Sequence, residues 1–181
     1  KGKIGWAPTN ASFQAMVTAM RKEWGEEKTK AWLDGIVANQ PVVFDGNTPI
    51  VAAVGSGEIE VGFVNHYYLY RFLKEQGEAF PARNHFMNNG GPDSLVMVSG
   101  IGRLASGKNE ENALKFINFL LSPVAQQYFA GQTYEYPLVE GVQTMADLPP
   151  LDSLNTADLT AEQLADLEGT LNLLRASGVL P

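Results

Sequence analysis

Short β-prone runs alternate with amphipathic helices through the first half of the chain, and this alternation restricts the fold more than any other feature. Ile4 to Ala7 reads as a strand, Pro8-Thr9-Asn10 supplies a turn and an N-cap, and Phe13, Met16, Val17 and Met20 follow at helical spacing. A second amphipathic stretch, about Glu26 to Ala38, turns Trp32, Leu33, Ile36 and Val37 inward, and Pro41 ends it before Val42-Val43-Phe44. The turn Asp45 to Pro49 puts Pro49 at the first position of a helix through Val51 and Val54 that stops at Gly55-Ser56-Gly57. Ile59 to Val64 is the next strand, and Asn65-His66-Tyr67-Tyr68 leads into a helix with Leu69, Phe72 and Leu73. This order builds an α/β fold with a largely parallel sheet.

Beyond the Asn88-Asn89-Gly90-Gly91-Pro92 loop, Leu95 to Val98 and Ile101 to Leu104 read as strands. Glu110 to Leu121 is predicted helical with Ala113, Phe116, Ile117 and Leu120 on one face, and Pro123 opens another helix through Phe129. Met145 to Leu159 is loop-like, after which the capping box Thr160-Ala161-Glu162-Gln163 starts a last helix. Its stripe is Leu164, Leu167, Leu171 and Leu174, with Gly178 as the C-terminal cap. The acidic residues Asp147, Asp152, Asp158, Glu162, Asp166 and Glu168 read as a solvated helix face.

With 181 residues, 45% of them hydrophobic, a core can hold the fold without disulfides. No cysteine is present, which removes thiolate metal sites and a Cys nucleophile. The net charge is -7 and the 13 Lys and Arg are scattered, which argues against nucleic acid as a partner. No window reaches the run of about 20 apolar residues that spans a bilayer. The two histidines lack metal-binding spacing, and neither a GxSxG motif nor a Walker loop occurs, so the chain reads as a binding protein and not an enzyme.

Binding chemistry concentrates where strands end and helices begin, since ligands of open α/β sheets sit outside the carboxyl ends of the strands. Adjacent residues entering a helix point about 100° apart, so Tyr67 and Tyr68 cannot both face one core, and at least one hydroxyl reaches a cleft. Tyr is equally a residue that packs its ring and leaves its hydroxyl wet. Thr9-Asn10-Ala11-Ser12 forms either an anion cradle at a helix start or an ordinary N-cap. Asn47 and Asn65 stand at two further helix starts, each with an amide that can donate to an oxyanion. His66 is expected to pack or cap, and His85 to head a strand.

Three segments, Gly5-Trp6-Ala7-Pro8-Thr9-Asn10-Ala11-Ser12-Phe13, Asn65-His66-Tyr67-Tyr68 and Tyr134-Glu135-Tyr136-Pro137-Leu138, resemble the ferric-ion-binding proteins of bacterial iron ABC importers. The resemblance implies a type II periplasmic-binding-protein fold. It also implies an extracytoplasmic location, in the periplasm or tethered to the outer face of the cell membrane, and a membrane permease as partner. Tyr67 and Tyr68 would bind Fe(III) through phenolate oxygens, which suit a hard cation. A synergistic phosphate or carbonate would be held by Asn10, Ala11 and Ser12, with Asn47 and Asn65 as amide partners. Phe13 stands where some relatives carry a further tyrosine, which favours the anion-assisted arrangement.

The resemblance also assigns residues 1 to 93 and 149 to 181 to the second lobe of such a protein, and 94 to 148 to a hinge strand and a segment returning to the first. On that reading the first part of the first lobe precedes Lys1. Another solute of the same fold, a polyamine, thiamine or an organophosphonate, is the alternative, with the tyrosines as an aromatic wall. A small hydrolase using His66 is more distant, because no orienting carboxylate accompanies it.

Overall fold

The computed structural model describes residues 1–144 and 148–181, and within them the chain forms two compact units, Lys1–Val96 with Asn155–Pro181, and Met97–Leu154. Asp147 and the first residues of the expected Met145 loop lie outside the described residues.

In the first unit, β1 (Ile4–Trp6) is the centre of a three-stranded parallel sheet, with β2 (Val42–Val43) on one side and β3 (Val61–Gly62) on the other. Four helices connect or flank the strands: α1 (Ala11–Trp24), α2 (Glu26–Ala38), α3 (Asn47–Ser56) and α4 (Tyr67–Gln76). Parallel strands require such crossovers, which is why both faces are covered and the sheet is short. On one side Trp6, Phe13, Val17, Leu33, Leu173 and Leu174 form a core; on the other Ala7, Ile50, Ala53 and Ile59 form a second. Gly5 lies between the two neighbouring strands, and a side-chain methyl there would collide with Ile59 Cδ1. Gly57 ends α3 in the left-handed region, φ 77°, where glycine carries no Cβ penalty.

Several expectations are corrected. The strand read over Ile59 to Val64 contracts to Val61–Gly62. Neither Leu95 to Val98 nor Ile101 to Leu104 is a strand, and His85 heads none, because no neighbouring strand supplies ladder partners among the described residues. Pro49 is the third residue of α3 and not the first; Asn47 starts the helix.

The capping box does form, with Thr160 N donating to Gln163 Oε1 at 2.8 Å and Gln163 N to Thr160 Oγ1 at 3.3 Å. It opens only a single 3-10 turn, Gln163–Ala165, and the helix itself spans Leu167–Ala176. Its inward residues are therefore Thr170, Leu173 and Leu174, and Leu167 is exposed. Val179 N closes the helix end on Leu174 O at 2.9 Å past Gly178, φ 68°.

The second unit contains α5 (Glu110–Leu120) and α6 (Pro123–Tyr128), the latter opened by Ser122 as N-cap and Pro123 at its first position. Gln126 is buried and joins two segments, donating to Leu120 O and accepting from Leu138 N, both at 2.8 Å. The apolar face expected on α5 is amphipathic but buries no residue, and Phe116 remains 56% exposed. Among the described residues no helix is long and apolar enough to cross a membrane.

Helix α7 (Leu167–Ala176) is fastened to α1 by a polar group with an 8% exposed guanidinium at its centre. Arg21 donates to Asp166 Oδ2 at 3.0 Å, to Asp166 O at 3.1 Å and to Thr170 Oγ1 at 3.0 Å, and also pairs with Glu26. Asp166, with its side chain still 43% exposed, is more than one charge on a solvated face: it caps α7 through Gly169 N at 3.1 Å. That backbone hydrogen bond, then the bond from Arg21, holds the Asp166 carboxyl below its ordinary value. A depressed carboxyl contributes stability above its unfolded value, and the contribution is lost as pH falls through the folded one. Asp166→Asn is therefore expected to melt below the wild type at pH 7, with the gap closing below about pH 4. A gap that stays constant down to pH 3 in thermal unfolding would contradict this role.

Candidate functional site

Three helix starts, those of α1, α3 and α4, follow directly on the sheet and meet through one residue, Asn65. Its backbone N–H donates to Asn47 Oδ1 at 3.1 Å. Its Nδ2 donates to Ser12 Oγ at 3.1 Å and to the Tyr67 hydroxyl at 2.9 Å. Segments up to 53 positions apart are brought together by one residue, because parallel strands carry all their C-terminal ends to the same edge.

Tyr67 and Tyr68 are both half-buried, with ring centroids 4.6 Å apart and planes inclined by 33°. Burial pushes the Tyr68 phenol above its ordinary value, the adjacent Tyr67 adds to this through its charge and a side-chain hydrogen bond, and Arg71 pulls it the other way. Burial thus favours the neutral Tyr68 phenol, and an ion that binds its oxygen must displace the proton. Among the described residues no group of three or more His, Asp or Glu could hold a metal.

The anion side of the arrangement is more committed than the sequence suggests. Asn10 is the N-cap of α1, its Oδ1 accepting from Ser12 N at 2.9 Å. That bond occupies the Ser12 backbone donor and leaves Ser12 Oγ on Asn65, while Ala11 is exposed at the first turn. Asn47 is buried and uses its carbonyl oxygen on Asn65, so its Nδ2 has no hydrogen-bond partner among the described residues.

Phe13 packs edge-on against Trp6 with centroids 5.5 Å apart and offers no ligand. His66 lies in an aromatic group with Tyr67, Tyr70 and Phe86, its ring 5.5 Å from that of Tyr67. Tyr136 directs its hydroxyl to Pro149 O at 2.7 Å within the second unit. Arg71 is a site residue that sequence reasoning missed; its spacing of three and four from the tyrosines was the available signal.

Residues 1–159 match the family model described as bacterial extracellular solute-binding protein. The chain is 32% identical over 181 residues to the major ferric iron-binding protein of Neisseria meningitidis serogroup B, covering 99% of this chain and 54% of that one. It is 29% identical over 182 residues to the Fe(3+)-binding periplasmic protein of Serratia marcescens, covering 99% and 53%. The crystal structure of iron-bound HitA from Pseudomonas aeruginosa superposes with a TM-score of 0.92 at 34% identity, over 98% of this chain and 57% of that one. The chain thus spans about half the length of the curated relatives it matches.

Proposed function

Because the chain belongs to the bacterial extracellular solute-binding protein family and has an α/β fold of the type II periplasmic kind, we propose that it binds ferric iron for an ABC importer. Tyr67 and Tyr68 are the protein's oxygen ligands in this reading. Two phenolates neutralise two of the three ferric charges, and a phosphate or carbonate fills further positions. That anion takes hydrogen bonds from the α1 start, with Ala11 N and Ser12 as donors and Asn10 holding the turn, and from Asn47 Nδ2, while Asn65, whose amide hydrogens go to Ser12 and Tyr67, orients both of them. The supporting observation is the direct link from the Tyr67 hydroxyl through Asn65 to Ser12, which puts the ligand pair and the helix start within one hydrogen-bonded group.

The protein acts in this reading as a carrier and not an enzyme, outside the cytoplasm, and hands the ion to a membrane permease. Residues 1–93 with 149–181 form one lobe of the carrier, and 94–148 return to the other. Ligands from one lobe leave coordination positions open to water, so the chain as it stands binds weakly. Ferric citrate added to it is expected to give a faint visible phenolate-to-iron absorption. Joining the remaining half of a relative-length protein is expected to intensify the band and tighten binding by roughly two orders of magnitude or more. A chain that stays colourless in both forms would favour another solute.

A further inference from the structure

We infer that Arg71 is a specificity-determining contact of this site, one that selects a multivalent oxyanion to lie beside the tyrosine pair. The inference deepens the ferric reading, on which it rests for the identity of the accompanying metal. Arg71 follows Tyr67 by four residues and Tyr68 by three in α4, so the three side chains share one helix face. Its guanidinium carbon lies 5.6 Å from the Tyr68 ring centroid, a cation–π distance that keeps the charge at the pair.

Arg21, Arg83 and Arg103 each have a carboxylate partner. Arg71 is exposed and has neither a carboxylate nor a protein hydrogen-bond acceptor among the described residues. Its N–H fork, which fits an oxyanion in a bidentate manner, is free to do so.

Charge balance among the groups of this chain favours one class of anion. A ferric ion on two phenolates keeps one net positive charge, and Arg71 brings a second. Ser12, Asn47 and Asn65 are neutral and change nothing. An accompanying group with two negative charges closes the balance, which favours carbonate, hydrogen phosphate or a polycarboxylate over chloride or nitrate. These share the chemistry of a multivalent oxyanion with at least two oxygens for the fork.

The test uses the metal-free chain, isotopically labelled and titrated with phosphate, carbonate or citrate in separate arms, with nitrate at matched ionic strength as the control. Saturable amide shifts at Ser12, Asn65 and Tyr68 are expected with the multivalent anions and not with nitrate. The arm that saturates at the lowest concentration identifies the source. Arg71→Gln is expected to weaken saturation about tenfold or more, and Arg71→Lys, which keeps the charge without the fork, by about threefold. Equal phosphate, carbonate and citrate affinities in Arg71→Gln and wild type, or shifts that never saturate in wild type, overturn the inference. Ferric loading read by visible absorption is a separate arm: saturable anion binding with no iron colour would defeat the ferric reading and leave the role of Arg71 standing.

Discussion

Replacing Tyr67 and Tyr68 together by Phe is expected to abolish the visible phenolate-to-iron band and to weaken ferric binding by roughly two orders of magnitude or more, about 3 kcal/mol. The ring remains in each case, so packing at the start of α4 is kept and only the two oxygens leave. Tyr67→Phe alone also frees one donor of Asn65, which keeps its bonds to Ser12 and Asn47. Tyr68→Phe removes the hydroxyl from the ring that Arg71 lies over. Circular dichroism separates loss of site from loss of fold. Unchanged ferric affinity in the double variant would remove the basis of the functional proposal.

The other large effect belongs to Gly5. It pairs with Val42 on one side and Gly62 on the other, so its backbone cannot move away from an added side chain. Besides the collision with Ile59, a methyl would come within 3.1 Å of Phe44 Cε2 and 3.3 Å of Ile50 Cγ2. Gly5→Val is expected to destabilise the first unit by about 3 kcal/mol or more, and Gly5→Ala by about 1 to 3. Trimming the obstacle with Ile59→Val in the Gly5→Ala background should recover part of that loss, because the two positions share one space. Urea unfolding measures all three. A Gly5→Val chain as stable as the wild type would mean that the core of Ile50 and Ile59 is looser than its packing implies.

Local signals carried much of this fold. Asn10, Gly57 and Gly178 cap helices where the sequence places caps, and Glu26–Ala38 is helical over the span its periodicity predicts. These features depend on contacts within a few residues, which a sequence displays. The apolar runs at Leu95 to Val98 and Ile101 to Leu104 mislead because a strand exists only with a neighbour, and β propensity does not name one. The pairing of Asp166 was hidden for a related reason: its partner Arg21 is 145 residues away, and charge patterning along a helix cannot reveal it.

The helix starts that border the site were legible from Pro8-Thr9-Asn10 and Asn65-His66. What was not legible is how the asparagines divide their work, with Asn10 capping, Asn47 accepting and Asn65 donating three times. Amide orientation is decided by neighbours that arrive from other segments.

The way Asn65 is used has a kinetic consequence. Its backbone proton cannot exchange with solvent until Asn47 lets go, and its side chain cannot turn aside without releasing Ser12 and Tyr67. Residues 12, 47, 65 and 67 therefore open as one cooperative unit. Any ligand resting on one of them slows the opening of all, so occupancy at the tyrosines is written into the hydrogen–deuterium exchange of helix starts far from them in sequence.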